Sequence, residues 1–243
     1  MELYNNIAEY YDELYPASDD LKDFYKEESK NFTSPIKYLS IGCGTGTFEH
    51  YLAKGNCDVT GLETVPSLIE SANRKRRTQL MALRFFNMTS LEMCRFLGKS
   101  FYNVISIPNG RIAFTHDPTL MSKLFYDCKQ LLAPGGKLIL HLPNFDKFKG
   151  DGQVSLPVRE SIRVKLFSKI TTTNSGKKML FQNIEKGNGK NIIVTEDAEI
   201  MPLTKTQIEQ FAKNVGFIKL SFYSSFTRSE FTPNSDELIA VIS

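Results

Sequence analysis

Short apolar segments alternate with amphipathic segments along the chain from residue 36 onward. The apolar segments have the length of strands and end at Gly, Pro or polar residues, whereas the amphipathic ones repeat their apolar positions with the period of a helix. The predicted strands are 36–41, 57–62, 80–86, 102–107 and 136–142, and the predicted helices are 47–54, 66–76 and 118–132. Repeated strand, helix, strand units predict a mostly parallel sheet with helices on both faces.

This alternation breaks between residues 147 and 202, where Thr, Ser, Gly and Lys are frequent. Short segments of alternating polarity predict an inserted antiparallel β cap there. Its strands are predicted at 161–167 and 191–200, and a helix at 204–214 and strands at 217–223 and 237–242 follow it. The main sheet would then have seven strands, within a single domain over 1–243. We expect residues 1–34 to form an N-terminal helical lid and residues 147–202 to form the cap.

Composition and charge narrow the class of protein. Thirty Lys and Arg against twenty-seven Asp and Glu give a formal net charge of +3, so a surface that coats nucleic acid is not indicated. The four Cys are scattered without a C-x-x-C pair or a histidine cluster, so we expect neither a disulfide framework nor a metal site. The N-terminus lacks the pattern of a signal peptide and no apolar run is long enough to span a bilayer, which favours the cytoplasm.

The segment YLSIGCGTG at 38–46 is the strongest candidate for a ligand site. Gly42, Gly44 and Gly46 stand between a predicted strand and a predicted helix, where a sharp turn lets a ligand approach backbone amides at the helix N-terminus. Glu63 follows at the end of the second strand, at the spacing of an acid that accepts hydrogen bonds from ribose hydroxyls. A tight turn of no function is the alternative for the glycines alone, but together with Glu63 they predict a nucleotide-like ligand.

The glycine spacing distinguishes between nucleotides. The third glycine comes one residue earlier than in the dinucleotide fingerprint, and the Lys and Ser or Thr of a phosphate loop are absent from this turn. The segment resembles motif I of the class I S-adenosylmethionine-dependent methyltransferases. PGG at 134–136 and PNFDKF at 143–148 also resemble this family, over roughly residues 4–146 and 202–243. The resemblance implies a Rossmann-like α/β fold with S-adenosyl-L-methionine as the cofactor.

The resemblance also implies roles for individual residues. The glycine loop would lie beneath the methionine part of the cofactor, Glu63 would hold the ribose, and residues after the third strand would bracket the adenine. Tyr11, in a segment similar to the N-terminal helix of small-molecule methyltransferases, would reach the cofactor carboxylate. The cofactor-binding residues expected on this basis are Tyr11, Gly42, Cys43, Gly44, Gly46, Glu63, Thr64, Asn87, Met88 and Ile107.

Two segments, IPNGRIAF at 107–114 and HLPNFD at 141–146, resemble glycine and sugar-amine N-methyltransferases. Asn144 and His141 are the candidate catalytic residues, since both lie near the carboxyl end of the fifth strand, where α/β sheets bind ligands. The alternative for His141 is a structural side chain whose hydrogen bonds are satisfied against a covering helix. The alternative for Asn144 is a turn residue without a catalytic role. His116 is interpreted as part of a helix-start turn. Asn103 replaces an acid common at the start of the fourth strand in the family, so no general base is defined there.

We therefore expect a methyltransferase that N-methylates an amine, a small molecule bound between the lid and the cap. Three alternatives stay open: an RNA or protein methyltransferase, an NAD(P)-dependent oxidoreductase, and a cofactor-binding regulator without turnover. A membrane partner is not expected, nucleic acid is disfavoured, and the pattern leaves the oligomeric state and the acceptor open.

Overall fold

The computed structural model describes residues 7–148 and 152–243. Its strands are β1 Lys37–Ile41, β2 Asp58–Glu63, β3 Leu83–Asn87, β4 Tyr102–Ile107, β5 Leu132–Pro143, β6 Gln153–Ser155, β7 Arg159–Glu160, β8 Val164–Thr172, β9 Lys178–Lys186, β10 Asn191–Ile200, β11 Leu220–Tyr223 and β12 Glu237–Ile242. Its helices are α1 Tyr11–Leu14, α2 Asp19–Ser29, α3 Thr47–Lys54, α4 Pro66–Lys75, α5 Met93–Phe96, α6 Pro118–Leu131 and α7 Lys205–Asn214.

Seven strands form the main sheet in the order β11, β12, β5, β4, β1, β2, β3. Strands β1 to β5 are parallel to one another, and β12 runs antiparallel to both β5 and β11. The chain order reverses direction across the sheet between β1 and β4, which creates the crevice where ligands bind in open α/β sheets. The predicted Rossmann-like fold with a mostly parallel seven-stranded sheet is confirmed.

Several element bounds differ from the predicted ones. Helix α3 and strands β4, β10 and β12 have the predicted limits, whereas the third strand starts at Leu83 and not at residue 80. Leu80 is 96% exposed, so its apolar side chain belongs to the turn before the strand. The fifth strand begins four residues earlier than predicted, because β5 continues through Ala133 and Pro134 beyond a shift in its pairing with β4.

The inserted segment forms a second, antiparallel sheet, as predicted. Its order is β10, β9, β8, β6, and β7 pairs with β8. The prediction missed β9, although β9 is central to this sheet. Ile170, Leu180 and Ile200 of the cap share one apolar cluster with Leu140 and Leu142 of the main sheet, so the two sheets bury a common core.

The N-terminal helices pack on the main sheet. The Tyr25 hydroxyl of α2 lies 2.6 Å from Oγ of Ser106 on β4, and the Lys137 ammonium lies 2.8 Å from the Glu28 carboxylate. The Ser106 contact fixes α2 near the carboxyl end of β4, and the Lys137 contact joins α2 to β5. Residues 1–6 of the predicted lid and 149–151 of the predicted cap lie outside the described residues, and the division into a lid and a cap stays a prediction. No helix within the two described ranges has both the length and the apolar character for a bilayer crossing.

Candidate active site

The glycine loop turns through left-handed backbone conformations. Gly44 has φ +60° and Gly46, which precedes the first residue of α3, has φ +75°. A Cβ on Gly44 would lie 2.3 Å from the Tyr11 ring, and one on Gly46 would lie 2.3 Å from the Phe85 ring. Glycine is therefore required at both positions by the conformation and by the approach of an aromatic ring.

Glu63 ends β2 directly beside this loop. Its buried carboxylate accepts hydrogen bonds from the backbone N–H groups of Gly44, Thr64 and Val65, at 3.0, 2.8 and 3.0 Å. The Arg111 guanidinium lies 3.5 Å from the same carboxylate. The acid predicted from spacing thus joins the glycine loop to the end of the second strand.

Asp12 of α1 fastens the N-terminal helix to the same loop. Its carboxylate accepts hydrogen bonds from the hydroxyls of Thr45 and Thr47 and pairs with the Arg76 guanidinium at 2.6 Å. Burial opposes ionisation, but these hydrogen bonds and the Arg76 charge lower the pKa of Asp12 below its ordinary value. Tyr11 is thereby held over Gly44, and burial raises its pKa, so its phenol stays neutral.

Two cavities are lined by residues of this loop, and a third adjoins them under the cap. The Glu63 cavity, of about 310 Å³, is lined by Glu63, Thr64, Met88 and Arg111. The Tyr11 cavity, of about 230 Å³, is lined by Tyr11, Cys43, Glu49 and His141. The cap cavity, of about 550 Å³, lies between the main sheet and the cap and is lined by Phe114, Phe145, Leu180 and Gln182.

The cavities share lining residues, and Phe114 borders both the Glu63 cavity and the cap cavity. Gly42 borders both the Glu63 cavity and the Tyr11 cavity. Four residues border both the Tyr11 cavity and the cap cavity, and we call them the junction: Tyr15, Asn109, Arg159 and Glu237. A ligand bound around Gly42 and a second ligand in the cap cavity would therefore meet at the junction.

The junction contains one carboxyl group with a low pKa, that of Glu237. Arg159 lies 3.2 Å from Oε1 of Glu237, and Nε2 of His141 lies 3.3 Å from its Oε2. Burial opposes ionisation of Glu237, but the adjacent His141 and Arg159 lower its pKa to about 2. The N–H of Asn109 donates to Nδ1 of His141 at 3.4 Å, so the ring proton lies on Nε2, toward Glu237.

A second carboxylate is buried in the wall of the Tyr11 cavity. Glu49 of α3 is 2% exposed, and its Oε2 has no hydrogen-bond partner in the described part of the chain. Burial raises the pKa of Glu49 to about 7. A cationic group bound in this cavity would meet an unpaired carboxyl oxygen there.

Comparison with known proteins agrees with this geometry. A family profile described as "Methyltransferase domain" matches residues 39–136. A curated methyltransferase of Geobacillus sp. strain WCH70, named from its sequence, is 27% identical over 142 residues, which span 56% of this chain and 56% of that relative. The CcbJ methyltransferase from Streptomyces caelestis superposes with a TM-score of 0.78 at 14% identity, over 100% of this chain and 98% of that one. The chain has the class I methyltransferase fold.

A second solved structure with this methyltransferase fold contains S-adenosylmethionine. SAM-bound CalS10 from Micromonospora echinaspora, an amino pentose methyltransferase, superposes with a TM-score of 0.62 at 16% identity, over 92% of this chain and 90% of that one. The family match and this structure support S-adenosylmethionine as the cofactor. The finer resemblance to glycine and sugar-amine N-methyltransferases stays a prediction.

Most of the residues predicted from the methyltransferase resemblance converge on the cavities. Those that line a cavity are Tyr11, Gly42, Cys43, Glu63, Thr64, Met88 and His141. Gly44 and Gly46 form the turn between them. Asn87 is exposed at the end of β3, beside Glu63 on β2. Ile107 is 1% exposed in the apolar core.

Asn144 is placed differently from the catalytic residue that the sequence suggests. It is fully buried, and its Nδ2 donates to the carbonyls of Pro233 and Ser235 at 3.0 and 2.9 Å. Its Oδ1 accepts from the N–H of Asp146 at 3.1 Å. These contacts fit a role in fixing the loop before β12 in the methyltransferase fold, and a catalytic role for Asn144 stays an untested prediction.

The sequence reasoning missed the charged residues of the junction. Arg159 lies on a two-residue strand, which has no detectable periodicity. Glu237 opens β12, and β12 brings it to the carboxyl end of β5 only because these two strands are antiparallel. The sequence does place Glu237 at the start of the last predicted strand. It does not give the direction of that strand in the sheet, and the direction determines which edge of the sheet Glu237 reaches.

Proposed function

We propose that this chain is an S-adenosylmethionine-dependent methyltransferase whose acceptor is a small molecule with an amine. The observation that carries the proposal is the set of three adjoining cavities, in which a cofactor around Gly42 and an acceptor in the cap cavity would meet at the junction. Methyl transfer needs the donor and the acceptor held in line and shielded from water.

The residues around Gly42 fit the cofactor. Glu63 would accept a hydrogen bond from a ribose hydroxyl through Oε2, which accepts one backbone N–H, whereas Oε1 already accepts two. The unpaired carboxyl of Glu49 would face the ammonium of the methionine moiety in the Tyr11 cavity. Bound S-adenosylmethionine supplies an electrophilic methyl group on a positively charged sulfur.

The junction would orient the acceptor. With its pKa near 2, Glu237 stays ionised and is a weak base, so it would bind the amine by charge and by hydrogen bonding. His141 would position Glu237, since its Nδ1 is already bonded to the N–H of Asn109. An amine that sheds its proton to water before transfer needs no further base from the protein.

The shape of the acceptor site supports a small molecule. The cap cavity is bounded by both sheets, and its lining is largely apolar with a few polar groups, as in sites for small ligands. The near balance of charge over the whole chain gives no support to a nucleic-acid acceptor.

Ligand binding and turnover test the proposal. Thermal unfolding would be followed with S-adenosylmethionine, S-adenosylhomocysteine, NAD and NADP, and we expect stabilisation by the two adenosyl compounds alone. Mass spectrometry would then detect S-adenosylhomocysteine formed with a panel of primary and secondary amines. Stabilisation by NAD, or no response to either adenosyl compound, would overturn the proposal.

A blocking variant makes the binding test specific. Glu63→Ala would leave three backbone N–H groups without an acceptor, so it would disturb the fold as well as the site. Thr64 is exposed and lines the Glu63 cavity, so Thr64→Trp fills the cavity without disturbing a buried contact. We expect it to abolish stabilisation by S-adenosylhomocysteine, whereas Gln79→Trp on an exposed turn retains it.

A further inference from the structure

One row of buried residues in the cap sheet is polar. Ser168 on β8 and Thr195 on β10 are each paired in register with Gln182 on β9, and all three are buried. The buried residues to either side of this row are apolar: Leu166, Ile184 and Val194, and Ile170, Leu180 and Ala198. We call Ser168, Gln182 and Thr195 the polar row.

The polar row is only partly satisfied by the protein. Nε2 of Gln182 donates a hydrogen bond to Oγ of Ser168 at 2.7 Å. Within residues 7–148 and 152–243, Oε1 of Gln182 and Oγ1 of Thr195 have no hydrogen-bond partner. Buried polar atoms without partners destabilise a fold, and an apolar row would pack this sheet better. A row kept polar at this position indicates a ligand group that completes its hydrogen bonds.

The position of the row identifies the ligand. Ser168 and Gln182 line the cap cavity, and Glu237 lies in the wall that this cavity shares with the Tyr11 cavity. An acceptor whose amine contacts Glu237 would therefore extend toward the polar row. Gln182 offers an acceptor oxygen and Ser168 a hydroxyl donor, and a hydroxyl group both donates and accepts.

We infer that Ser168 and Gln182 of the polar row bind a hydroxyl group of the methyl acceptor, which makes the substrate a hydroxylated amine. This inference rests on the proposed function and names its substrate class. The row determines specificity, because a site built to hydrogen-bond a hydroxyl discriminates against the analogue that lacks it. A carboxylate is disfavoured at this end of the cavity, since the row presents the Gln182 oxygen and no cationic side chain.

Two amines that differ by one hydroxyl test the inference. Calorimetry would give the dissociation constants of trans-4-aminocyclohexanol and cyclohexylamine, with and without S-adenosylhomocysteine. In Gln182→Met we expect the ratio of the two constants to shift by about tenfold in favour of cyclohexylamine, the effect of one hydrogen bond. Asn183→Leu, on the outer face of the same strand, should keep the wild-type ratio.

The outcomes separate the two proposals. Gln182→Met removes an unpartnered buried oxygen and also the hydrogen bond from Nε2 to Oγ of Ser168, two effects of opposite sign, so it should unfold close to the temperature of the wild type. An unchanged ratio in a folded Gln182→Met protein, as an ordered water in the row would produce, overturns the inference. Absence of binding by both amines to the wild type overturns it as well. Loss of the response to S-adenosylhomocysteine in the wild type overturns the proposed function alone, since the ratio is also measured without that compound.

Discussion

Glu49 links the chemistry of the Tyr11 cavity to the stability of the fold. Its pKa of about 7 in the folded protein lies above the ordinary 4.5, so the folded state holds the proton more tightly than the unfolded chain does. The stabilisation of the folded state by the protonated Glu49 carboxyl is therefore complete below pH 4.5 and is lost as the pH rises through about 7. At neutral pH and above, folding has to bury a charge.

A glutamine at this position isolates that effect. We expect the free energy of unfolding of the wild type, measured relative to Glu49→Gln by urea titration, to fall by about 3 kcal/mol between pH 4 and pH 8. Glu70→Gln, on the exposed face of α4, should show no such trend relative to the wild type. A difference between wild type and Glu49→Gln that does not vary with pH would show that Glu49 is ionised normally.

Glu237 allows a separate prediction about the acceptor. Glu237→Gln removes the negative charge from the junction, so the dissociation constant of trans-4-aminocyclohexanol should rise about tenfold or more. The dissociation constant of S-adenosylhomocysteine should stay within about twofold of the wild-type value. Calorimetry measures both. Glu230→Gln, at an exposed position, is the control. Equal losses of both ligands in Glu237→Gln would assign Glu237 to the cofactor site or to the fold.

Among the elements, α1 is short but firmly attached. Asp12 is its anchor, because it holds two hydroxyls of the glycine loop and the Arg76 guanidinium. We expect Asp12→Asn to increase amide hydrogen exchange over residues 7–15 and to raise the dissociation constant of S-adenosylmethionine about fivefold, since Tyr11 loses its fixed position.

The control for this prediction is Asp20→Asn, at an exposed position in α2. It should leave both the exchange over 7–15 and the affinity unchanged. If Asp12→Asn weakened the cofactor while the exchange stayed at the wild-type rate, the loss would come from the glycine loop and not from release of α1.

The elements also show what a sequence can predict. Helix α3 has the predicted limits because Gly46 and Gly55 mark both ends of a periodic segment. Strand β9 escaped prediction, since its alternating residues lie in a region rich in Lys and Asn. Glu63 was found because spacing along the chain determines its place. Glu237 and Arg159, by contrast, lie far apart in the chain and in two different sheets, and they meet only because the cap packs on the main sheet.

For the whole molecule, the common core of the two sheets predicts cooperative unfolding. Leu180 of β9 is 6% exposed in the cluster that contains Leu140 and Leu142. Leu180→Ala should lower the stability by about 2–4 kcal/mol in a single transition seen by both circular dichroism and tyrosine fluorescence. Ile162→Ala, at a fully exposed position of the cap, should cost much less. Two transitions, of which Leu180→Ala shifts one, would instead indicate a cap that unfolds on its own.

The shared wall at the junction has a consequence for inhibitor design. Tyr15, Asn109, Arg159 and Glu237 border both cavities, so a tether between the occupants of the two cavities would run past these four residues. A single compound in which an adenosine analogue is linked to an amine would hold its second half at high effective concentration once the first half is bound. Such a compound should therefore bind far more tightly than either fragment, and the length of its best linker would measure the distance between the two bound fragments.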